Sequence, residues 1–211
     1  MNFETVCNTI SAEVDFSMNN KIFSKIIRVI TVAPVWAAIM SSVIYFCTDG
    51  GYKNLLHYIM MLVFLTAFPL LPYPISLVWQ KSERRSKQRS LAIIFSVAGY
   101  AAGLLFAIFG HGARCETTVY LSYLLSGCAI ALSSFVIKKK ASGHTCGISG
   151  PIAILCYYVS PWFAFGALAF VPIVSASLKM KRHTKGQLLA GALIGVVCFF
   201  VSLGIMKIIM P

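Results

Sequence analysis

The stretch that decides the fold is the last apolar run, residues 188–206, which reads LLAGALIGVVCFFVSLGIM. It contains no charged residue, and a helix needs about 20 such residues to cross the hydrocarbon core of a bilayer. Further apolar runs cover residues 26–47, 54–79, 91–109, 118–137 and 148–178. The sequence therefore predicts an all-α fold, a polytopic transmembrane helical bundle.

The composition supports a membrane protein. Of the 211 residues, 58% are hydrophobic and 11% are charged, whereas soluble domains average about 45–50% apolar and about 25% charged residues. We expect one membrane domain over residues 1–211, with a polar N-terminal segment at 1–25. The first 20 residues lack the basic start and apolar core of a signal peptide, so we expect the chain to keep them.

The run 148–178 is too long for one straight crossing. Ser160-Pro161 interrupts it, and a proline disfavours helical backbone in the residue before it. We therefore predict a helical hairpin of two short spans, 148–159 and 162–178, which gives a bundle of six to seven spans. One long, tilted and kinked helix is the alternative. In the second run, Pro69, Pro72 and Pro74 predict a kink in its last third.

The net charge of +12 is concentrated in three loops, at 81–89, 138–140 and 179–185. Short cytoplasmic loops collect Lys and Arg, so the three loops are predicted to share the cytoplasmic face, with 48–53 and 110–117 on the other side. The same cations suit a second purpose, because Arg and Lys neutralise phosphate groups. Both interpretations stay open.

The acidic residues exclude some functions. No carboxylate falls within a predicted span, and Glu116 lies just before the fourth. Proton relays and ion pathways use intramembrane acids, which argues against a transporter. Magnesium-dependent transferases need clustered acidic oxygens. The seven cysteines show no metal-ligand spacing, so we expect no metal and no cofactor.

Two of the four histidines stand apart. His57 and His111 fall near the outer ends of spans, where we expect ordinary interface residues. His144 and His183 instead lie in basic loops, each immediately before an apolar helix, in the stretches SGHT (142–145) and RHTKGQ (182–187). Helix N-termini bind anions. Two histidines there could divide the work of phosphoryl transfer, one attacking phosphorus and one protonating the leaving oxygen.

These stretches resemble a known family. ASGHT, residues 141–145, resembles the P-S-G-H motif of the type-2 phosphatidic acid phosphatase superfamily, which includes the vanadium haloperoxidases. GHTCGISGP and LKMKRHTKGQLLAGALIG resemble its smaller, divergent members. The family's other motifs, K-x6-R-P and S-R-x5-H-x3-D, match in order and spacing a motif-bearing core at residues 81–187.

The resemblance implies a role for each matching residue. His183 matches the histidine nucleophile and His144 the general acid. Gln187 stands where the family has the aspartate that orients the nucleophile, Ser177 stands where it has an arginine, and Ala141 replaces a proline. No K-x6-R pair exists in the first motif. The residues expected to hold substrate phosphate are Lys81, Arg84, Arg89, Ser142, Gly143 and Lys179.

The resemblance also implies an activity. We expect a metal-independent lipid phosphatase that hydrolyses a phosphate monoester or pyrophosphate on a lipid or polyprenyl substrate through a phosphohistidine. Its partners would be that substrate and the bilayer, with no nucleic acid. The alternative is a catalytically degenerate protein that binds lipid headgroups or acts as a scaffold, which the departures at residues 177 and 187 favour.

Overall fold

The structure, a computed structural model, describes residues 33–78, 81–137, 141–169, 171, 174, 178 and 184–210, with backbone alone for 81–86. Within these residues all regular secondary structure is helical. The helices are α1 (Ala33–Cys47), α2 (Leu55–Val78), α3 (Lys81–Phe109), α4 (Arg114–Phe135), α5 (Gly143–Tyr158) and α6 (Lys185–Ile209), and a 3-10 helix covers Pro161–Ala169.

Among the described residues, four helical segments are long and apolar enough to cross a membrane. They are α2, α4, α6 and the Lys87–Phe109 part of α3. α1 is apolar but has only 15 residues. Large apolar side chains such as Phe109 and Phe200 are exposed on the outside of the bundle, as expected of a surface that contacts lipid. The all-helical fold and its membrane character agree with the sequence prediction.

Proline breaks the chain at the predicted place. α5 ends at Tyr158 and the 3-10 helix begins at Pro161. The 3-10 helix folds back on α5. The close packing is seen at Gly166, where an added Cβ would lie 3.4 Å from the Ile152 side chain. The predicted break at Ser160-Pro161 is therefore confirmed, while the predicted second span over 162–178 lies only partly within the described residues.

α2 is irregular along its second half. A π-helical turn at Val63–Ala67 precedes Pro69, and a 3-10 turn at Ser76–Val78 ends the helix. Proline has no N–H to donate and its ring crowds the preceding turn, so the helix departs from regular α geometry around it. The predicted disturbance is confirmed, and it starts earlier than the last third.

Contacts between loops define two ends of the bundle. Lys53 Nζ donates to the Gly110 carbonyl oxygen at 2.6 Å, and Thr48 Oγ1 donates to the Tyr158 carbonyl oxygen at 3.4 Å. These residues mark what we call the Glu116 end. At the opposite end, the first turn of α1 packs on the first half of α5, and we call this the His144 end. The predicted pairing of the loops 48–53 and 110–117 on one side is confirmed.

Candidate functional site

The N-termini of α5 and α6 lie side by side at the His144 end. The Ser142 backbone N–H donates to the Gln187 carbonyl oxygen at 3.0 Å, and Thr145 Oγ1 donates to the Leu188 carbonyl oxygen at 2.8 Å. The first N–H groups of a helix have no acceptor within it and carry its positive dipole end. Two such ends therefore meet in this part of the molecule.

Glycines on α6 permit this close approach. A Cβ on Gly191 would overlap the Ser142 carbonyl oxygen and Thr145 Oγ1, and a Cβ on Gly195 would lie 2.7 Å from the Cys146 carbonyl oxygen. Only glycine leaves room for the backbone of α5 at these two positions. Helices with glycines one turn apart pack closely in this way.

Both helices are capped by side chains from the motifs. Ser142 is fully buried and its Oγ accepts from the Thr145 N–H at 3.4 Å. Thr184 and Gln187 form a capping box, in which Gln187 Oε1 accepts from the Thr184 N–H at 3.2 Å. Capping of this kind starts a helix at a fixed residue. A phosphate contact from Ser142 and an orienting role for Gln187 stay predictions.

A cavity of about 510 Å³ lies at the same end. Arg89 of α3 and Gly143 and His144 of α5 line it. These groups come from the first and second sequence motifs, and they line the same cavity. None of the described lining residues is acidic. An arginine without a neighbouring carboxylate in a partly enclosed space favours anions.

The first residue of α5 leaves space for a ligand. Gly143 is exposed, and a Cβ added to it would meet no atom within 4 Å. Glycine is therefore not needed at this position to fit the rest of the described chain. An anion can approach the start of α5 without meeting a side chain there.

The other predicted site residues are placed as follows. Arg89, Gly143 and His144 share the cavity, while Ser142 and Gln187 lie in the helix junction beside it. The structure does not describe the side chains of Lys81 and Arg84 in the first motif. Ser177, Lys179 and His183, around the third motif, lie outside the described residues.

The Glu116 end holds a polar pair that the sequence did not reveal. Nδ1 of His57 lies 2.7 Å from Oε1 of Glu116, and both side chains are buried. Glu116 Oε2 also accepts from the Ala113 N–H at 3.3 Å, which caps α4. His57 is therefore not an interface residue, and a carboxylate does lie in a candidate span. Both expectations were wrong. α4 begins at Arg114, earlier than predicted, so Glu116 lies inside the helix, and His57 is buried against it.

One signal in the sequence pointed to the earlier start of α4. A glutamate at the third position of a helix often caps it by accepting from the backbone before the first turn. That pattern moves the start of α4 back to residue 114 and places Glu116 inside the helix. Its partner His57 is 59 residues away along the chain, and no local pattern links the two.

No family model matches the chain, and no curated protein or solved structure matches it either. Among the described residues, no three His, Cys, Asp or Glu side chains come together as metal ligands. The functional case therefore depends on the cavity and on the residues that line it.

Proposed function

We propose that the protein is a metal-independent membrane phosphatase that hydrolyses a phosphate monoester or pyrophosphate on a lipid or polyprenyl alcohol. The observation that supports this proposal best is the cavity that Arg89, Gly143 and His144 line together. The likeness of ASGHT and RHTKGQ to the type-2 phosphatidic acid phosphatase motifs supports it as well.

Each wall residue suits one part of the reaction. The planar guanidinium of Arg89 can hold two phosphate oxygens, and the start of α5 adds backbone N–H donors and a positive dipole end. His144 lies in the first turn of that helix. Its imidazole can pass a proton to or from an oxygen bound at the cavity wall, as a general acid or base does.

The proposed reaction has two balanced steps. A ring nitrogen of His183 attacks phosphorus and the bond to the alcohol oxygen breaks, while His144 protonates the departing alkoxide. Water then loses a proton to His144 and attacks the phosphohistidine, which releases phosphate and restores His183. The protein's task is to position the groups and stabilise charge on the equatorial oxygens.

The proposal includes a membrane arrangement. Six to seven spans would make the protein multi-pass, and the positive-inside rule would place the His144 end at the cytoplasmic face. A site there would receive the phosphate at the membrane boundary while the substrate's tail stays in lipid. Lys81, Arg84 and Lys179 would add cations to the phosphate grip.

The test is phosphate release by the purified full chain from a panel of lipid and polyprenyl phosphates. We expect His144→Asn and His183→Asn each to lower turnover about a hundredfold or more. His111→Asn is the matched control: His111 is exposed at the other end, and its left-handed backbone, with φ of 51°, suits asparagine. Full activity in either site variant would contradict the proposal.

A second candidate is a protein that binds the same lipid phosphates without turnover. Gln187 favours it, because its Oε1 accepts from its own helix cap and carries no charge to stabilise a histidinium. Incubation with a radiolabelled substrate separates the two functions. Acid-labile label on residue 183 supports the phosphatase, whereas saturable binding with neither label nor free phosphate supports the binding protein.

A further inference from the structure

Besides Arg89, Gly143 and His144, several residues with hydroxyl groups line the cavity. Ser96 and Tyr100 come from α3, and Ser122, Tyr123 and Ser126 come from α4. Residues three or four apart share one face of a helix, so each helix presents its hydroxyls to the same space. Ser96 lies seven residues beyond Arg89 along α3, about 10 Å further into the bundle. We call these five side chains the hydroxyl wall.

A hydroxyl wall does not suit an acyl or prenyl chain. A hydrocarbon tail offers no hydrogen-bonding partner, so hydroxyls facing it would lose the bonds they make with water. Apolar residues of the same size would line a tail pocket better. The hydroxyls therefore suit a polar part of a ligand, while apolar residues such as Ile93, Ile130 and Pro151 line other parts of the same cavity.

Tyr123 adds an unpaired hydroxyl to the wall. Its side chain lines the cavity and is only 7% exposed, and its hydroxyl has no hydrogen-bond partner among the described residues. A buried hydroxyl without a partner destabilises a folded protein. A ligand that brings a hydroxyl to this place would supply the missing partner.

The volume of the cavity limits the size of the ligand. At about 510 Å³ it falls within the range of roughly 300–1,000 Å³ typical of small-molecule sites. It accommodates a phosphate with a compact alcohol attached. Hydroxyls on that alcohol would lie against the inner part of the cavity while the phosphate stays beside Arg89.

We propose that the cavity selects phosphate esters whose alcohol carries further hydroxyl groups, that is, polyol phosphates, free or as a lipid headgroup. The phosphate lies against Arg89 and the start of α5, and the free hydroxyls bond to Tyr123 and Ser126. The placement of the phosphate rests on the proposed function. The selection of hydroxyls rests on the wall alone and is measured as binding.

Two matched pairs of probes test the selection with the purified full chain in detergent, by calorimetric titration. Glycerol 3-phosphate and propyl phosphate share a three-carbon phosphate ester, and only the first carries hydroxyls. Lauroyl lysophosphatidic acid and dodecyl phosphate form the lipid-borne pair. We expect the hydroxylated member to bind about tenfold or more tightly in at least one pair.

Substitutions on α4 locate the selection. Tyr123→Phe removes an unpaired hydroxyl, which should not destabilise the fold, and Ser126→Ala removes the second contact. The double variant should bind both members of a pair equally, with the affinity for the plain alkyl phosphate unchanged. Tyr120→Phe is the control, because the Tyr120 hydroxyl is also buried and unpaired among the described residues but does not line the cavity.

The outcomes separate this inference from the proposed function. A preference in the soluble pair points to free polyol phosphates and a preference in the lipid pair to a headgroup, and either supports the inference. Equal binding within both pairs, or no binding of any probe, overturns it. Absence of phosphate release with an intact preference contradicts only the phosphatase, whereas turnover of alkyl and hydroxylated esters alike contradicts only the selection.

Discussion

The two ends of the bundle use histidine in opposite ways. At the Glu116 end, His57 is buried with a carboxylate 2.7 Å from its ring. At the His144 end, His144 lines a cavity with Arg89, and no described lining residue is acidic. A histidine held by a carboxylate inside the protein fixes structure, whereas one that lines a cavity can exchange protons with an anion bound there. The surroundings, more than the residue type, separate the two roles.

The Glu116 end is built as a closed junction. Lys53 donates to the carbonyl oxygen of Gly110, and the Gly112 N–H donates to the Ala107 carbonyl oxygen at 2.7 Å, which closes the turn between α3 and α4. Burial raises the pKa of the Tyr52 phenol in the adjacent loop above its ordinary value. The polar groups here mostly tie loops to helices.

The largest effect that separates the two ends is expected from Glu116→Ala. It leaves buried His57 and the Ala113 N–H without their acceptor, and breaking a buried pair costs about 3–5 kcal/mol of unfolding free energy. Denaturant unfolding in mixed micelles measures the loss, with Glu116→Gln as a milder control that keeps an acceptor. Turnover per folded molecule should not change; a loss of turnover at unaltered stability would contradict the division between the ends.

A smaller effect is expected from Gly191→Ala in the junction of α5 and α6. The new methyl overlaps the Ser142 carbonyl oxygen, and overpacking of this kind costs about 1–3 kcal/mol. Because α5 must shift, the affinity for phosphate esters should fall as well. Gly204→Ala is the control on the same helix, since its Cβ would meet no atom within 4 Å; equal stability of the two variants would argue against the close helix contact.

The smallest effect on stability is expected from Gly143→Ala. Its methyl meets no atom within 4 Å, so the melting temperature should not change. The methyl does stand beside the first N–H groups of α5, and we expect KM for lipid phosphates to rise several-fold. Gly186→Ala, in the first turn of α6 and equally open, should change neither quantity. Unaltered KM in Gly143→Ala would place the phosphate away from α5.

The sequence was informative where one residue type controls the backbone. Pro161 lies just beyond the end of α5, as predicted, and the glycines at 191 and 195 leave room for the contact between α5 and α6. Both features are local: a proline lacks an N–H, and a glycine lacks a Cβ. Motif order alone predicted that Arg89 and His144 belong to one site, and both residues line the same cavity.

The sequence was uninformative where distant residues meet. The His57–Glu116 pair joins two helices. The apolar run that predicted the fourth span begins after Glu116, so the prediction left Glu116 outside the helix. The hydroxyl wall had a visible pattern, Ser96 with Tyr100 and Ser122 with Ser126, each four residues apart. Neither pattern indicates a cavity until the packing of α3 on α4 places both faces around one space.

The contact between α5 and α6 has a consequence for biogenesis. The Ser142 N–H and the Thr145 hydroxyl donate to carbonyl oxygens of Gln187 and Leu188, in α6, which is synthesised after α5. Until that helix is inserted, the Ser142 N–H lacks this acceptor, whereas the Thr145 hydroxyl can still donate to the Ser142 carbonyl oxygen. The nascent protein therefore completes this corner only after α6 has been synthesised, and a chain truncated before residue 187 would lack both carbonyl acceptors of α6.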